Sequence, residues 1–187
     1  AAVNVTPTEL PDVVVVEPRV FGDARGFFLE SFHAERYAAA GITHPFVQDN
    51  VSKSRRGVLR GLHLQQPIAQ GKLVQVLQGA VWDVAVDVRV GSPTFGRWAA
   101  RELTAENHRQ LWIPPGFAHG FVSLADDTIF AYKCTAPYTP AHELVVRWDD
   151  PALAIAWPEP ARDLSARDAA APRLADIPPE RLPQYAR

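Results

Sequence analysis

Short runs of alternating apolar and polar residues, separated by turn residues, make up most of the chain. "VVVVEPRVF" sets β-branched residues around a proline and predicts an edge strand or two short ones. "FFLESFH" continues as strand, and "AERYAAAG", Ala34 to Gly41, predicts a first helix stopped by its glycine. "FVQDNVSKS", "GVLRGLHLQ", "GKLVQVLQG", "AVWDVAVDVR", "FGRWAARELT", "HRQLWIP", "HGFVSLA", "TIFAYKCT" and "HELVVRW" then read as strands. Gly79, "GSP" at Gly91 to Pro93, "PPG" at Pro114 to Gly116 and "ADD" at Ala125 to Asp127 mark turns between them. The cleanest alternation is "VWDVAVDVR". Trp82, Val84, Val86 and Val88 share one face, predicted to be packed, and Asp83, Ala85, Asp87 and Arg89 share a polar one. With no βαβ rhythm and no repeat period, the pattern predicts an all-β sandwich or barrel with a few short helices.

From Trp157 onward the pattern is lost, and Pro, Ala and charged residues dominate. This predicts a C-terminal arm, 157–187, laid over the barrel with one helical turn after Ser165. A length of 187 residues fits a single domain spanning 1–187 with a substantial core. The net charge of -2 gives no bulk attraction to nucleic acid or anionic membranes, so any bound anion must be held by locally placed Arg and Lys. The lone Cys134 excludes an internal disulfide framework and a multi-cysteine zinc site, and favours the cytoplasm. No apolar run approaches the roughly 18 residues of a membrane span, and no signal peptide is expected.

The candidate chemistry begins in "GVLRGLHLQQP", Gly57 to Pro67. Arg60 and His63 interrupt a run that is otherwise apolar, and a core rarely accepts either without partners. Their opposite parity would point them to opposite faces of an undistorted strand. Either Gly57 and Gly61 permit a bulge that turns both into one cavity, or a ligand at the barrel mouth is met from two sides. Further on, "PPGFAHGF" resembles the second half of the cupin signature, which presents a histidine, here His119, into a small barrel. The metal-binding first half is broken, because Gln65 stands two residues after His63 and no carboxylate occurs before Asp83. No metal is therefore expected.

"FGDARGFFLESF", "QDNVSKSRRGVLRGLHLQ", "QGKLVQVLQGAVWDVAVDVRVGSPTFG", "IPPGFAHGF", "YKCTAPY" and "WDDPALAIAWP...LSARD" occur in this order. From about Val13 to Pro172 the chain resembles the dTDP-4-dehydrorhamnose 3,5-epimerases, cupin-fold (jelly-roll) enzymes. The resemblance implies inversion of the carbons flanking the C4 ketone of a dTDP-4-keto-6-deoxyhexose, without metal or organic cofactor, in a cytoplasmic homodimer. It makes His63 the base, Asp168 the residue that orients its imidazole, Tyr132 the acid and Lys72 the stabiliser of the enolate. Arg60, Arg25 and Arg167 match nucleotide-binding positions, the last standing where many relatives carry lysine. Glu30, Gln48, Asn50 and Glu143 match polar substrate contacts, and His119 and Tyr138 line the sugar pocket. Relatives pair N-terminal strands across subunits, so Arg25 would serve a neighbour's site. Three other readings stay open: an epimerase acting at one centre, a 3,4-ketoisomerase, or a non-catalytic sugar-nucleotide-binding cupin.

Overall fold

The computed structural model describes residues 3–158 and 163–186; positions 159–162 and 187 of the expected arm lie outside the described residues. Two antiparallel sheets face each other in the jelly-roll manner. One is six-stranded and runs β1 (Asn4–Pro7), β2 (Val14–Glu17), β10 (Gln110–Ile113), β7 (Lys72–Gln78), β12 (Thr128–Cys134), β5 (Gln48–Ser54). The other is five-stranded and runs β13 (Glu143–Val145), β6 (Leu59–Gln65), β11 (Phe117–Ser123), β8 (Ala80–Asp87), β9 (Trp98–Thr104). The apolar interior draws Val74, Val76, Leu111 and Phe130 from the first sheet and Val81, Ala85, Leu103 and Phe121 from the second.

Three sequence expectations are corrected. "VVVVEPRVF" does split at its proline, into β2 and β3 (Val20–Asp23), but β2 is no edge, since it pairs with both β1 and β10. The edge falls to β1, whose Pro7 needs no ladder donor there. "FFLESFH" is strand only over β4 (Gly26–Leu29), which pairs with β3 in a separate hairpin. His33 leaves the strand pattern because it caps α1 (Ala34–Ala39), its Nδ1 accepting from the Arg36 N–H at 3.3 Å. The third concerns β8, which is buried on both sides. Val84, Val86 and Val88 pack outward beneath Leu153, Leu174, Ile177 and Leu182. The polar side turns inward, with Asp83 and Asp87 both 0% exposed. Each carboxylate is bound there, Asp83 by His119 and Asp87 by Arg89 and Ser92, so alternation here separates an inward face that carries two paired carboxylates from an arm-covered exterior.

The arm is fastened at several points. Val90 donates to the Pro183 carbonyl at 2.8 Å, Tyr185 returns a bond to the Val90 carbonyl at 2.9 Å, and the Arg89 guanidinium lies between the Phe117 and Tyr185 rings. Burial of Leu174, Ile177 and Leu182 adds about 1.5–3 kcal/mol each as an upper estimate, enough to keep the arm docked. The helical turn expected after Ser165 is α2 (Ala166–Ala169), with the Ser165 hydroxyl accepting from the Asp168 N–H at 3.1 Å. Among the described residues no helix is long and apolar enough to cross a membrane.

Candidate active site

The strand pair β6–β11 decides where Arg60 and His63 point. His119 lies opposite His63 and Phe121 opposite Arg60, so β6 spends one more residue than β11 between the two pairs. That extra residue is a β-bulge, which cancels the parity difference, and both side chains line one cavity. Gly61, at φ +136°, makes the bulge possible: a Cβ there would come within 2.7 Å of the Gly120 Cα and 2.9 Å of the His119 carbonyl oxygen. Gly57 precedes the strand and takes no part in the bulge.

The cavity holds about 460 Å³ between the two sheets. β6 and β11 contribute Arg60, His63, His119 and Phe121; β5, β7 and β12 of the facing sheet contribute Gln48, Asn50, Ser52, Lys72, Phe130 and Tyr132. Tyr138 and Glu143 close the rim. A second cavity of about 430 Å³ joins it at Arg60, His63 and Glu143 and runs under the arm past Lys53, Arg55, Ser165, Arg167 and Asp168. Together they form a channel with His63 at the junction.

His63 Nε2 lies 2.7 Å from Asp168 Oδ1, and the other carboxylate oxygen accepts from the Gly61 N–H at 3.1 Å. Burial alone would raise the Asp168 carboxyl, but hydrogen bonds from His63, Gly61 and Ser165 outweigh it and hold the group below its ordinary value. An ionised Asp168 accepts a hydrogen bond from the Nε2–H of His63, and in that tautomer the free lone pair lies on Nδ1. Tyr132 is pushed up by burial, chiefly, so its phenol stays protonated at neutral pH. Lys72, 8% exposed, lies with its ammonium 5.9 Å from the Tyr132 ring centre, and burial pushes it down.

The polar wall is prepared by bonds among its own members. Gln48 donates to the Asn50 side-chain oxygen at 2.9 Å and accepts from the Tyr138 N–H at 2.9 Å. The Ser54 hydroxyl accepts from Arg60 Nε at 3.1 Å, which aims the guanidinium along the channel. Arg167 bonds Glu143 at 2.5 Å, tying the arm to β13. Arg25 and Glu30 line neither cavity of their own chain. Arg25 is exposed on the β3–β4 turn, bonded to Asp23, and Glu30 pairs with Arg36. Gln65, the position that breaks the metal pattern, donates to the Ile68 and Pro137 carbonyls and accepts from Thr139, a structural role. Among the described residues no cluster of three His, Cys, Asp or Glu side chains is placed to hold a metal ion.

Sequence reasoning missed Asp83. His119 is satisfied by its carboxylate, at 2.7 Å between Nε2 and Oδ1, and not by turn backbone, since it lies within β11. Parity places Asp83 on one face of β8 with Ala85, but nothing in the sequence marks that face as the inward one.

Residues 7–176 match the family described as dTDP-4-dehydrorhamnose 3,5-epimerase. The chain belongs to that family. A dTDP-4-dehydrorhamnose 3,5-epimerase of Salmonella typhimurium is 54% identical over 173 residues, covering 91% of this chain and 94% of that protein. A dTDP-6-deoxy-D-glucose-3,5-epimerase from Legionella pneumophila, solved in complex with dTDP-4-keto-L-rhamnose, superposes with a TM-score of 0.96 at 53% identity, covering 99% of this chain and 100% of that one. A 3'-monoepimerase from Streptomyces bikiniensis, in complex with dTDP-quinovose, gives a TM-score of 0.87 at 41% identity, covering 96% and 92%. As a 3,5-epimerase, the chain is an isomerase with the cupin-type barrel.

Proposed function

We propose that His63 is the base of this enzyme, Asp168 its orienting partner, Tyr132 the acid and Lys72 the group that stabilises the enolate. The reaction is 3,5-epimerisation of a dTDP-4-keto-6-deoxyhexose, as in dTDP-rhamnose biosynthesis. The observation that carries the assignment of roles is topological. His63 comes from β6 of the five-stranded sheet and Tyr132 from β12 of the six-stranded sheet, with the cavity between them. Inversion needs opposed partners: a base on one face of the sugar ring and an acid on the other.

In the forward step His63 Nδ1 takes the proton from a carbon next to the ketone, the C–H electron pair becomes the new C=C bond, and the carbonyl π pair moves onto the C4 oxygen. Asp168 stabilises the imidazolium, and the Lys72 ammonium the oxyanion. Tyr132 then gives its proton to the same carbon from the far side as the enolate collapses back to the ketone. Once His63 has released its proton to solvent and Tyr132 has regained one, the same steps at the second carbon complete the change. Arg60 and Arg167, flanking the second cavity, suit forked contacts to a diphosphate.

We also assign the working unit to a homodimer in the cytoplasm. Arg25 and Glu30 stand on or beside a hairpin whose Phe21, Phe27 and Phe28 are exposed, the expected state of a segment that completes a neighbour's site. The similar monoepimerase makes the number of centres the quantity to measure. Proton NMR of dTDP-4-keto-6-deoxyglucose with enzyme in D2O, against a no-enzyme control, is expected to show enzyme-dependent deuterium at C3 and C5. Deuterium at one carbon alone would indicate a single-site epimerase or a ketoisomerase, and none at all would overturn the assignment of catalytic roles.

A further inference from the structure

Residues 135–139 carry the chain from β12 of the six-stranded sheet toward β13 of the five-stranded sheet and lie in no strand. Tyr138, on this crossing, stands 47% exposed at the rim of the reaction cavity. Side chains of three glutamines from other segments bind the backbone of the crossing. Gln70, just before β7, donates to the Ala136 carbonyl at 2.9 Å. Gln65, the last residue of β6, donates to the Pro137 carbonyl at 3.2 Å and accepts from the Thr139 N–H at 2.7 Å. Gln48, the first residue of β5, accepts from the Tyr138 N–H at 2.9 Å. The Thr139 hydroxyl also donates to the Pro137 carbonyl, at 3.3 Å, but ties the crossing only to itself.

These bonds converge on the two peptide groups that flank Tyr138. In the first, the Pro137 carbonyl is held by Gln65 and the Tyr138 N–H by Gln48; in the second, the Thr139 N–H is held by Gln65. A residue's backbone has two soft dihedrals, so fixing the peptide planes on either side of it fixes both, and with them the direction of its side chain. Gln65 itself is 3% exposed and lines neither of the cavities that meet at His63, so it acts on a ligand there only through what it holds. Its amide is fully used: the second donor bond goes to the Ile68 carbonyl at 2.9 Å and anchors it to the chain that follows β6. Losing such an amide leaves backbone groups on the crossing unmet, and the pinned geometry goes with them.

We propose that Gln65 is a positioning residue for the epimerisation: by pinning the peptide groups on both sides of Tyr138, it sets that side chain against the sugar of the bound nucleotide. The proposal rests on the reading of Tyr138 as a wall of the sugar pocket. The diphosphate-binding arginines Arg60 and Arg167 flank the second cavity, which Tyr138 does not line. That separation gives the role a signature: loss of Gln65 weakens the handling of the sugar and leaves the binding of dTDP alone intact.

The test is Gln65→Met, similar in length but without the amide, in a double-mutant cycle with Tyr138→Ala. In Gln65→Met, kcat/KM for dTDP-4-keto-6-deoxyglucose is expected to fall about 10²-fold, the cost of misplacing a group by about 1 Å, with the Kd for dTDP unchanged by calorimetry. A general loosening of the site would weaken dTDP as well, and that result, or a wild-type kcat/KM, overturns the proposal. In the Tyr138→Ala background Gln65→Met is expected to cost little more, because the side chain it places is already gone. An equal loss in both backgrounds overturns the proposal and leaves the reading of Tyr138 standing. A wild-type kcat/KM in Tyr138→Ala alone removes that reading and the proposal with it. Should Gln65→Met fail to fold, Gln65→Glu takes its place, keeping the acceptor for Thr139 while losing the amide donors, and the same outcomes decide.

Discussion

His63 and His119 show how neighbouring residues of one type come to do different work. Both bond an aspartate at 2.7 Å, but the His63 side chain is 30% exposed to the channel and that of His119 is 7% exposed. The exposed one can meet a substrate C–H bond and the buried one cannot, so only His63 is assigned as base. His63→Asn is expected to lower kcat by at least about 10²-fold, the lower end of general-base contributions, with the fold intact by circular dichroism. A near-wild-type rate would withdraw the role. Tyr132→Phe removes one proton donor from the facing sheet and is expected to slow turnover or stop it after one centre. Product analysis by NMR after reductive trapping would show a singly inverted sugar; full conversion at the normal rate would exclude Tyr132 as the acid.

At the level of elements, the bulge between β6 and β11 converts an unfavourable parity into a binding surface. Two glycines face each other there, and each fills the space a side chain of the other would need: a Cβ on Gly120 would meet the Arg60 carbonyl oxygen at 2.8 Å. Gly61→Ala forces backbone against backbone, and a well-packed interior resists such insertion by about 1–3 kcal/mol. The expected result is a lower Tm together with weaker dTDP binding by calorimetry, because Arg60 and His63 no longer share one cavity. A variant with wild-type Tm and affinity would mean that the bulge is not needed. β5 follows the simpler rule. Gln48, Asn50, Ser52 and Ser54 share one face by period two and supply the polar wall, while Asp49, Val51 and Lys53 are the more exposed positions between them.

The whole molecule depends on the arm, which carries Asp168 to His63 across 105 residues of sequence. Folding and catalysis are therefore coupled through that carboxylate. Its folded value lies below the ordinary 3.8, so below that pH the unfolded state binds more protons. The stabilisation is fully present above the unfolded value and is lost as pH falls through the folded one. Asp168→Asn is expected to be less stable near neutrality and to show a shallower loss of stability on acidification below about pH 4, read by denaturant midpoints across the range. Parallel curves for the two proteins would exclude the linkage. The dimer has its own test in complementation. If Arg25 serves the partner's site, mixing Arg25→Ala with His63→Asn subunits is expected to restore part of the activity through sites that are intact in the mixed dimer. No recovery on verified mixing would confine Arg25 to its own chain.

By itself the sequence determined the β-rich alternation, the turns, the helical turn capped by Ser165 and, through ordered motifs, the family and the residue types of the site. These are local facts, readable wherever neighbours in sequence are neighbours in space. Tertiary structure alone decided which face of β8 looks inward, because alternation marks two faces without saying which the arm will cover. It also decided between the bulge and the two-sided mouth, since a bulge is a property of the pairing of β6 with β11 and not of β6. Asp83 escaped notice for the same reason: its partner His119 is 36 residues away, joined only by the register of two strands. Arg25 and Glu30 match the family in sequence yet lie outside the two cavities that meet at His63, because the hairpin that carries Arg25 and leads into Glu30 pairs with neither sheet.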